Sequence, residues 1–394
     1  MKLLLISSMY PPYVKGGGEI STSHLAESLV KLNVDVTVLT IAEEGQLQNI
    51  NGVNIIRVPP PNVYWSYNSP TTNKITKLQW HINESYNPFQ GNRVLDVIKE
   101  IDFDIIQTSV IEDFSPNLWR LLKQISNKKI VHTLRSYYLT CYRGNMFKSG
   151  NDCSSQCNFC KTSTILKKKN SNYVDHVVGI SNNILDNHIN LGYFKNASKS
   201  IIGNSFEVDN NRYKQSVIKN SLVFGYIGKL DTHKGLELLI DSFLAATRND
   251  SAKLVIAGFG PLENYVKEKA NKHLDSIKFI GRVSPDEFYR QIDVTVVPSQ
   301  WNEPFGRVII ESFAYGKPVI GSDKGGITEI ISSGETGVIF KSEQQLVNKI
   351  ISFLSADDNY YKEMSENCIN EAEKYTHANI AHKYKLLYKN LIGK

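Results

Sequence analysis

Two carboxylates, Glu303 and Glu311, stand eight residues apart in a stretch that runs Trp301-Asn302-Glu303-Pro304-Phe305-Gly306-Arg307 and on to Gly316. An apolar run, Val294 to Val297, precedes it and Pro298 stops that run. Pro304 and Gly306 sit where a helix can begin, and Gly316 with Pro318 where one ends. The spacing therefore predicts strand, loop and helix, with Glu303 in the loop and Glu311 inside the helix. A loop entering a helix aims free N–H groups and a positive dipole end at one spot, which suits a phosphate or a sugar oxygen. An ordinary βα unit with solvated glutamates has the same spelling. Acid–base pairing fits less well. If helical throughout, eight residues span about 12 Å, whereas paired glycosidase carboxylates stand roughly 5 to 9.5 Å apart.

Other residues could serve an anionic ligand. Lys229 and Lys234 share one turn after the apolar run Leu222 to Ile227, and Gly16-Gly17-Gly18 follow the first apolar run, Leu3 to Ser8. Four thiols, Cys141, Cys153, Cys157 and Cys160, crowd into 20 residues with the spacing C-x11-C-x3-C-x2-C. In a reducing compartment that is zinc-ligand composition, and it predicts a structural Zn²⁺. An iron–sulfur cluster and a set of small buried thiols are the alternatives. Cys368, in a helical segment, reads as core.

These groups need a scaffold of alternating strands and helices, and the chain supplies one. At 394 residues it has room for two domains. Strand-like runs alternate with helix-like runs in both halves, the pattern of parallel α/β sheets. Strands are expected at Leu3 to Ser8, Val34 to Leu39, Val53 to Val58, Ile105 to Ser109, Lys129 to Thr133, His176 to Ile180 and Ser200 to Phe206. A second series opens at Leu222 to Ile227. It continues at Lys253 to Ala257, Ile277 to Ile280, Val294 to Val297, Val319 to Gly321 and Gly337 to Phe340. The first helix is expected over Ser21 to Leu32, capped by Ser21, Thr22 or Ser23. Leu236 to Ala246 is an amphipathic helix, and Ile380, Tyr384, Leu387 and Tyr388 mark a final one. Between Tyr64 and Phe89 the pattern dissolves into aromatics among Asn, Ser and Thr. That stretch is either an aromatic acceptor surface or an irregular packed insertion. Residues 207–220 are polar without periodicity and read as a linker. Ligands of open parallel sheets bind beyond the carboxyl ends of the strands, so two such domains facing one another would make an interdomain cleft.

A net charge of +6 is too mild for a dedicated nucleic-acid binder and suits anionic small molecules or an anionic membrane surface. No apolar run approaches the roughly 18 to 20 residues of a spanning helix, and the N-terminal run is too short for a signal peptide. A cytoplasmic protein is expected, peripheral at the inner face of the membrane at most. The Lys167-Lys168-Lys169 run reads as a solvated charge run, with contact to anionic lipid as the second reading.

The second half resembles glycosyltransferase family 4, the retaining family of the GT-B fold. The matching pieces are Gly228-Lys229-Leu230 with Lys234-Gly235, then Ala257-Gly258-Phe259-Gly260-Pro261, then Glu303-Pro304-Phe305-Gly306 with Glu311. Gly325-Gly326 with Glu329 and Gly334-Glu335-Thr336-Gly337 follow in order. The Gly16-Gly17-Gly18-Glu19 loop and the strand end Val131-His132-Thr133-Leu134 extend the match to the first half. The resemblance implies two facing Rossmann-like domains: an acceptor-binding one over 1–203 and a donor-binding one over 204–375. The helix 376–394 is implied to cross back to the first. It implies a nucleotide-sugar donor of UDP or GDP type, and a glycan or lipid-linked sugar as acceptor. Lys229, Lys234, Glu303 and Arg135 are the implied catalytic residues. Gly16, Gly17, Gly18, Gly228, Gly258, Pro304, Phe305, Gly306, Arg307 and Glu311 are the implied donor-binding ones. Glu303 would bind the transferred sugar, Glu311 the ribose hydroxyls and the two lysines the diphosphate.

No Asp-x-Asp diphosphate–metal motif is apparent, so no catalytic metal is expected. The chain departs from the pattern twice. Lys229 stands where Arg is more usual, keeping the charge without the planar fork. Arg135 stands where a His is usual, and cannot act as a base at neutral pH. The implied setting is surface polysaccharide or glycolipid assembly. A nucleotide-sugar epimerase of the same fold and a catalytically silent sugar-nucleotide binder are the rival readings.

Overall fold

The run Leu3-Leu4-Leu5-Ile6 has no polar face, the mark of a strand covered on both sides of a parallel sheet. In the computed structural model, which describes residues 1–68, 73–87, 90–207, 221–248 and 250–393 (90–93 without side chains), this run lies at the centre of the first of two sheets. The strands of the first half are β1 (Lys2–Ile6), β2 (Asp35–Ile41), β3 (Gln46–Ile50), β4 (Val53–Val58), β5 (Ile105–Thr108) and β6 (Lys129–Leu134). A two-residue pair, β7 (Phe147–Lys148) and β8 (Asn151–Asp152), comes before β9 (His176–Gly179) and β10 (Ser198–Ile201). The sheet order is β10-β9-β6-β5-β1-β2-β4-β3, parallel except for β3. The second half adds β11 (Val223–Lys229), β12 (Lys253–Phe259), β13 (Ile277–Gly281), β14 (Val294–Val297), β15 (Val319–Ser322) and β16 (Gly337–Phe340). They form a wholly parallel sheet in the order β13-β12-β11-β14-β15-β16. The α/β doubly wound expectation holds for both halves.

The chain divides into two units. Met1–Met146, Cys153–Ser205 and His377–Lys394 make the first; Phe147–Asp152 and Phe206–Thr376 make the second. In the first, the helix His377–Ile392 buries Ile380, Ala381, Tyr384 and Tyr388 in one core with Leu25, Ala26 and Leu29 of the helix Gly17–Lys31 and with strand residues such as Leu3 and Val36. The Tyr384 hydroxyl lies 3.1 Å from Thr133 Oγ1 on β6. In the second, Leu236, Leu239, Ile240 and Phe243 of the helix Leu236–Ala246 pack with Phe224, Leu254 and Ile256 of β11 and β12. Burying each such side chain contributes about 1.5–3 kcal/mol.

Three expectations are corrected. The first helix begins at Gly17, not Ser21. Gly16 is its N-cap, and the Glu19 carboxylate reaches back to the Gly16 N–H at 2.9 Å, so Ser21, Thr22 and Ser23 are already inside and buried. The exposed, polar edge strand β3 was missed, although the Asn51-Gly52 turn that joins it to β4, with φ of 52° and 83°, is a recognisable hairpin signal. The stretch after Tyr64 holds the helix Lys74–Ser85, whose cap Asn73 accepts from the Thr76 N–H at 2.8 Å. Ahead of that helix, Trp65 is buried between Tyr13 and Tyr67, with ring centroids 5.0 and 4.9 Å away, which favours the packed insertion for that part. Phe89 and most of the linker, 208–220, lie outside the described residues.

Candidate active site

In the second sheet the strand order reverses between β11 and β14, and ligands of such sheets bind at that switch, beyond the carboxyl ends. The Trp301–Gly306 loop leaves β14 there, and Lys229 ends β11 beside it. Gly306 is the N-cap of the helix Arg307–Ala314 with φ at 90°, a left-handed conformation that a side chain disfavours. At the neighbouring strand end, a Cβ on Gly258 would lie 1.8 Å from the Gly228 carbonyl oxygen, so only glycine lets β11 and β12 run together to their tips.

The structure brings Lys234 and Glu303 together. Their side chains form an ion pair, and the Lys234 ammonium also lies 4.8 Å from the Trp301 ring centroid. Both are largely buried, and Ser299 Oγ lies 3.4 Å from the same Glu303 oxygen. Lys229 is more exposed and lies 3.4 Å from Asp231, which also holds His233 at 2.9 Å. Burial opposes ionisation of Asp231, but the His233 hydrogen bond and the His233 and Lys229 charges prevail and hold its carboxyl below the usual value.

Glu311 is buried one helical turn on, with Arg307 Nε 2.9 Å away; the angle makes this an ion pair and not a hydrogen bond. Burial pushes the Glu311 carboxyl up, while Arg307 and then a Tyr289 hydrogen bond pull it back. Gly326 donates its N–H to the Glu303 carbonyl at 2.7 Å, tying the Gly325-Gly326 motif to the Glu303 loop. Pro304 and Phe305 lie buried between Glu303 and Gly306, and the Phe305 ring meets Tyr375 edge-on at 5.9 Å.

One participant had no sequence signal. Asp152, on the β7–β8 hairpin, accepts from the Asn302 N–H at 2.9 Å and lies 3.3 Å from Lys324 Nζ. It lines a cavity of about 410 Å³ with Ser299, Gln300, Ser322 and Lys324, at the ends of β14 and β15.

In the first unit, Arg135 leaves the end of β6. Its guanidinium donates to Ser109 Oγ at 2.8 Å and to Asn204 Oδ1, and its Cδ lies 3.5 Å from where a Gly18 side chain would start. Gly16, Gly17 and Gly18 thus form the helix start beside Arg135, at the switch between β1 and β5. His132 is core: its Nδ1 lies 2.9 Å from Thr108 Oγ1, and its ring packs on Trp119 and Phe194. Burial and then the His188 charge push its pKa down to about 3, so it stays neutral. The lysine run is corrected as well. Lys167 is only 5% exposed and points at the Tyr138 ring, 3.5 Å from its centroid.

The four cysteines differ in burial. Cys141 is buried, Cys157 is exposed, and Cys153 and Cys160 lie between. Among the described residues no three His, Cys, Asp or Glu side chains are gathered as a metal would need. Cys157 is the N-cap of the short helix Asn158–Ser163. Burial first, and then the charges of Cys141 and Cys157, push the Cys160 thiol up to about 12 against a Tyr142 backbone hydrogen bond. One sequence reading is corrected here: the chain does contain an Asp-x-Asp spelling, Asp102-Phe103-Asp104. It lies at the amino end of β5, where Asp102 pairs with the Lys2 ammonium at 2.7 Å and Asp104 accepts from the Lys2 N–H at 2.9 Å. Among the described residues no helix is long and apolar enough to cross a membrane.

Residues 207–375 match the family model of glycosyl transferases group 1. An uncharacterized 42.6 kDa protein of the cps region of Klebsiella pneumoniae is 32% identical over 376 residues, covering 94% of this chain and 98% of its own. A lipopolysaccharide 1,2-N-acetylglucosaminetransferase of Salmonella typhimurium is 31% identical over 224 residues, covering 50% of this chain and 58% of its own. The crystal structure of Anabaena Alr3699/HepE in complex with UDP superposes with a TM-score of 0.72 at 18% identity, over 99% of this chain and 100% of that one. The motif segment read from the sequence lies inside the matched family segment, and the chain belongs to the glycosyl transferases group 1, with their GT-B fold.

Proposed function

We propose that this glycosyltransferase moves a hexosyl group, with retention of anomeric configuration, from a UDP- or GDP-sugar to a hydroxyl of a glycan or lipid-linked acceptor in surface polysaccharide or glycolipid assembly. The observation that carries the reading is the Lys234–Glu303 pair beside the Gly306 helix start at the switch point of the second sheet. A cation and a carboxylate held together can divide the donor between them. Lys234, with Lys229, takes the diphosphate charge; Glu303 accepts from sugar hydroxyls; Glu311, one turn up the helix, accepts from the ribose hydroxyls. N–H groups of the helix start meet the β-phosphate. In the first unit, Arg135, held by Ser109 and Asn204, presents a fixed positive charge beside the Gly16–Gly18 helix start.

Transfer runs on one face of the sugar. The bond from C1 to the leaving phosphate oxygen breaks with its electron pair going to the diphosphate. The acceptor oxygen bonds C1 on the same side, and its proton passes to a phosphate oxygen. The lysines stabilise the departing charge, a contribution of several kcal/mol for preorganised cations out of bulk water. No divalent cation is needed at the diphosphate in this reading.

Thermal-shift measurements with UDP-, GDP-, ADP- and dTDP-sugars identify the donor, and product analysis with an acceptor pool then tests transfer. Stabilisation by one donor, with turnover lost in Glu303→Ala, is the expected result. Isomerised donor without any acceptor would identify an epimerase; binding without turnover would identify a silent binder. A trapped glycosyl–enzyme adduct would overturn the one-face mechanism, and activity abolished by EDTA and restored by Mn²⁺ alone would overturn the metal-free one.

A further inference from the structure

A cavity of about 930 Å³ opens in the first unit beyond the carboxyl ends of β5 and β6. Two kinds of residue line it. Leu78 and Ile82 come from one face of the helix Lys74–Ser85. Tyr142, Phe159, Ile165 and Leu166 come from the cysteine-rich segment and the helix after it. All six are exposed, between 40% and 63% of their surface, so they make a contiguous apolar rim that water alone covers poorly.

The other end of the cavity is polar and closed. Glu84, Glu112, Tyr138 and Lys167 meet there. The Tyr138 hydroxyl donates to Glu84 Oε1, the Asp113 N–H donates to Glu84 Oε2 at 2.7 Å, and Lys167 covers the Tyr138 ring. Glu84 is therefore occupied. Glu112 is not: Ser136 Oγ lies 3.4 Å from one carboxyl oxygen, and the other is shut off from water with no hydrogen-bond partner. A buried polar atom in that state calls for a missing donor. Burial pushes the Glu112 carboxyl up to about 8, aided by the charges of Glu84 and Glu19 and opposed by a backbone hydrogen bond and Lys167.

We propose that this cavity binds a sugar-bearing amphiphile, the lipid-linked form of the acceptor, with a sugar hydroxyl donating to Glu112 at the floor and the hydrocarbon lying along Leu78, Ile82, Phe159 and Ile165. The inference rests on the transferase reading for its chemistry and on the cavity for its place. A bare phosphate head does not suit a floor holding two carboxyls against one lysine. A hydroxyl does, because a carboxyl accepts from it in any ionisation state. Tyr138, Tyr142 and Glu112 all line the cavity. A free oligosaccharide would leave the rim uncovered, and a simple lipid would leave Glu112 without its donor.

The probe is n-decyl β-glucoside below its micelle concentration, titrated into the whole protein beside glucose and 1-decanol. The decyl glucoside should bind roughly tenfold or more tighter than either half alone. Ile165→Asp and Leu78→Asp, at exposed positions that leave the fold intact by melting temperature, should weaken it about tenfold. Glu112→Gln should weaken the glucoside and leave decanol unchanged. Equal binding to wild type and all three variants overturns the assignment, as does glucose binding as well as the glucoside. Variants that lose only vesicle binding overturn it in favour of a membrane-contact face. The thermal shift with nucleotide sugars separates the two claims. If nucleotide sugars bind and the amphiphile does not, the cavity assignment falls alone; if the amphiphile binds and no nucleotide sugar does, the transferase reading falls and the cavity stands.

Discussion

The site of the second unit and the cavity of the first handle charge in opposite ways. At the end of β14 every carboxylate has a cation within one turn or loop: Glu303 has Lys234, and Glu311 has Arg307. Such pairs set a cation and a carboxylate side by side, an arrangement that suits a charged, hydroxyl-rich ligand. Under the first unit's cavity, Glu84 and Glu112 share one lysine, Lys167, and burial pushes both carboxyls up. One end is built to hold net charge from a ligand and the other to hold polarity without it. In the proposed reaction, that division matches a donor that leaves as an anion and an acceptor that arrives neutral. Replacing single members of each cluster tests the contrast.

The largest effect is expected at Lys234. Removing it takes away a preorganised cation, worth roughly 10²–10³ in kcat, and leaves Glu303 buried without its partner. Breaking such a pair from one side costs about 3–5 kcal/mol in a fully buried setting, and less here because both side chains keep some exposure. Lys234→Ala should therefore lose activity and melting temperature together. Glu303→Ala should lose activity with a smaller stability loss, because the freed lysine can reach water. A double-mutant cycle on melting should show coupling of about 1 kcal/mol or more; additive losses would mean that the pair does not act as one unit. Glu311→Gln comes next. It keeps the shape and removes the charge beside Arg307, and a ribose contact predicts a donor KM raised about tenfold, or about 1.4 kcal/mol, with kcat little changed.

The same contrast explains what could be read without coordinates. The Glu303 loop is one strand–loop–helix unit, so Glu303, Gly306 and Glu311 carry their geometry in their spacing, and most parallel strands followed from apolar runs, whereas the polar β3 did not. The helix Gly17–Lys31 was misplaced by four residues because serines and a threonine look like caps wherever they occur. The glycine that caps it has no side chain to announce it, and only Glu19 marked the true start. The cavity floor was out of reach for a stronger reason. Glu84, Glu112, Tyr138 and Lys167 come from four separate segments, and Lys167 sits in a run of three lysines whose other two members are more exposed. Asp152 was hidden likewise, since its partners Asn302 and Lys324 are 150 and 172 residues away.

Glu112 yields a pH prediction of intermediate size. Its folded pKa, about 8, lies above the ordinary carboxyl value of 4.5, so between those values the folded protein binds more protons than the unfolded one. Stability then falls as pH rises through that window. The contribution is fully present below the lower value and lost above the upper one. Lys167, whose pKa burial pushes down, and Glu84, whose carboxyl burial pushes up, share the floor and titrate in the same region. Glu112→Gln should therefore flatten, without abolishing, the decline in melting temperature from pH 6 to about pH 9. Saturating decyl glucoside should give the wild type back part of what it loses there, because a hydroxyl donor stabilises the carboxylate. An unchanged decline in the variant would show that Glu112 is not the group that titrates.

The smallest effect is expected at Cys157, and it sets the four-thiol spelling against the arrangement the chain adopts. Its thiol is exposed at the start of a six-residue helix, and its backbone carbonyl, not its sulfur, accepts the Lys161 N–H at 2.9 Å. Serine caps a helix at least as well as cysteine. Cys157→Ser should therefore change stability by no more than about 0.5 kcal/mol, as surface substitutions usually do. If a metal joined Cys157 to Cys141, Cys153 and Cys160, the same change would remove a thiolate ligand from a closed site whose binding free energy is also folding free energy. The melting temperature would then fall sharply, and zinc measured in the purified protein would fall with it. Because Phe159 and Ile165, part of the apolar rim, follow directly in sequence, such a fall would also loosen the cavity. Glucoside affinity measured in Cys157→Ser thus reports whether the cavity wall is held by packing alone.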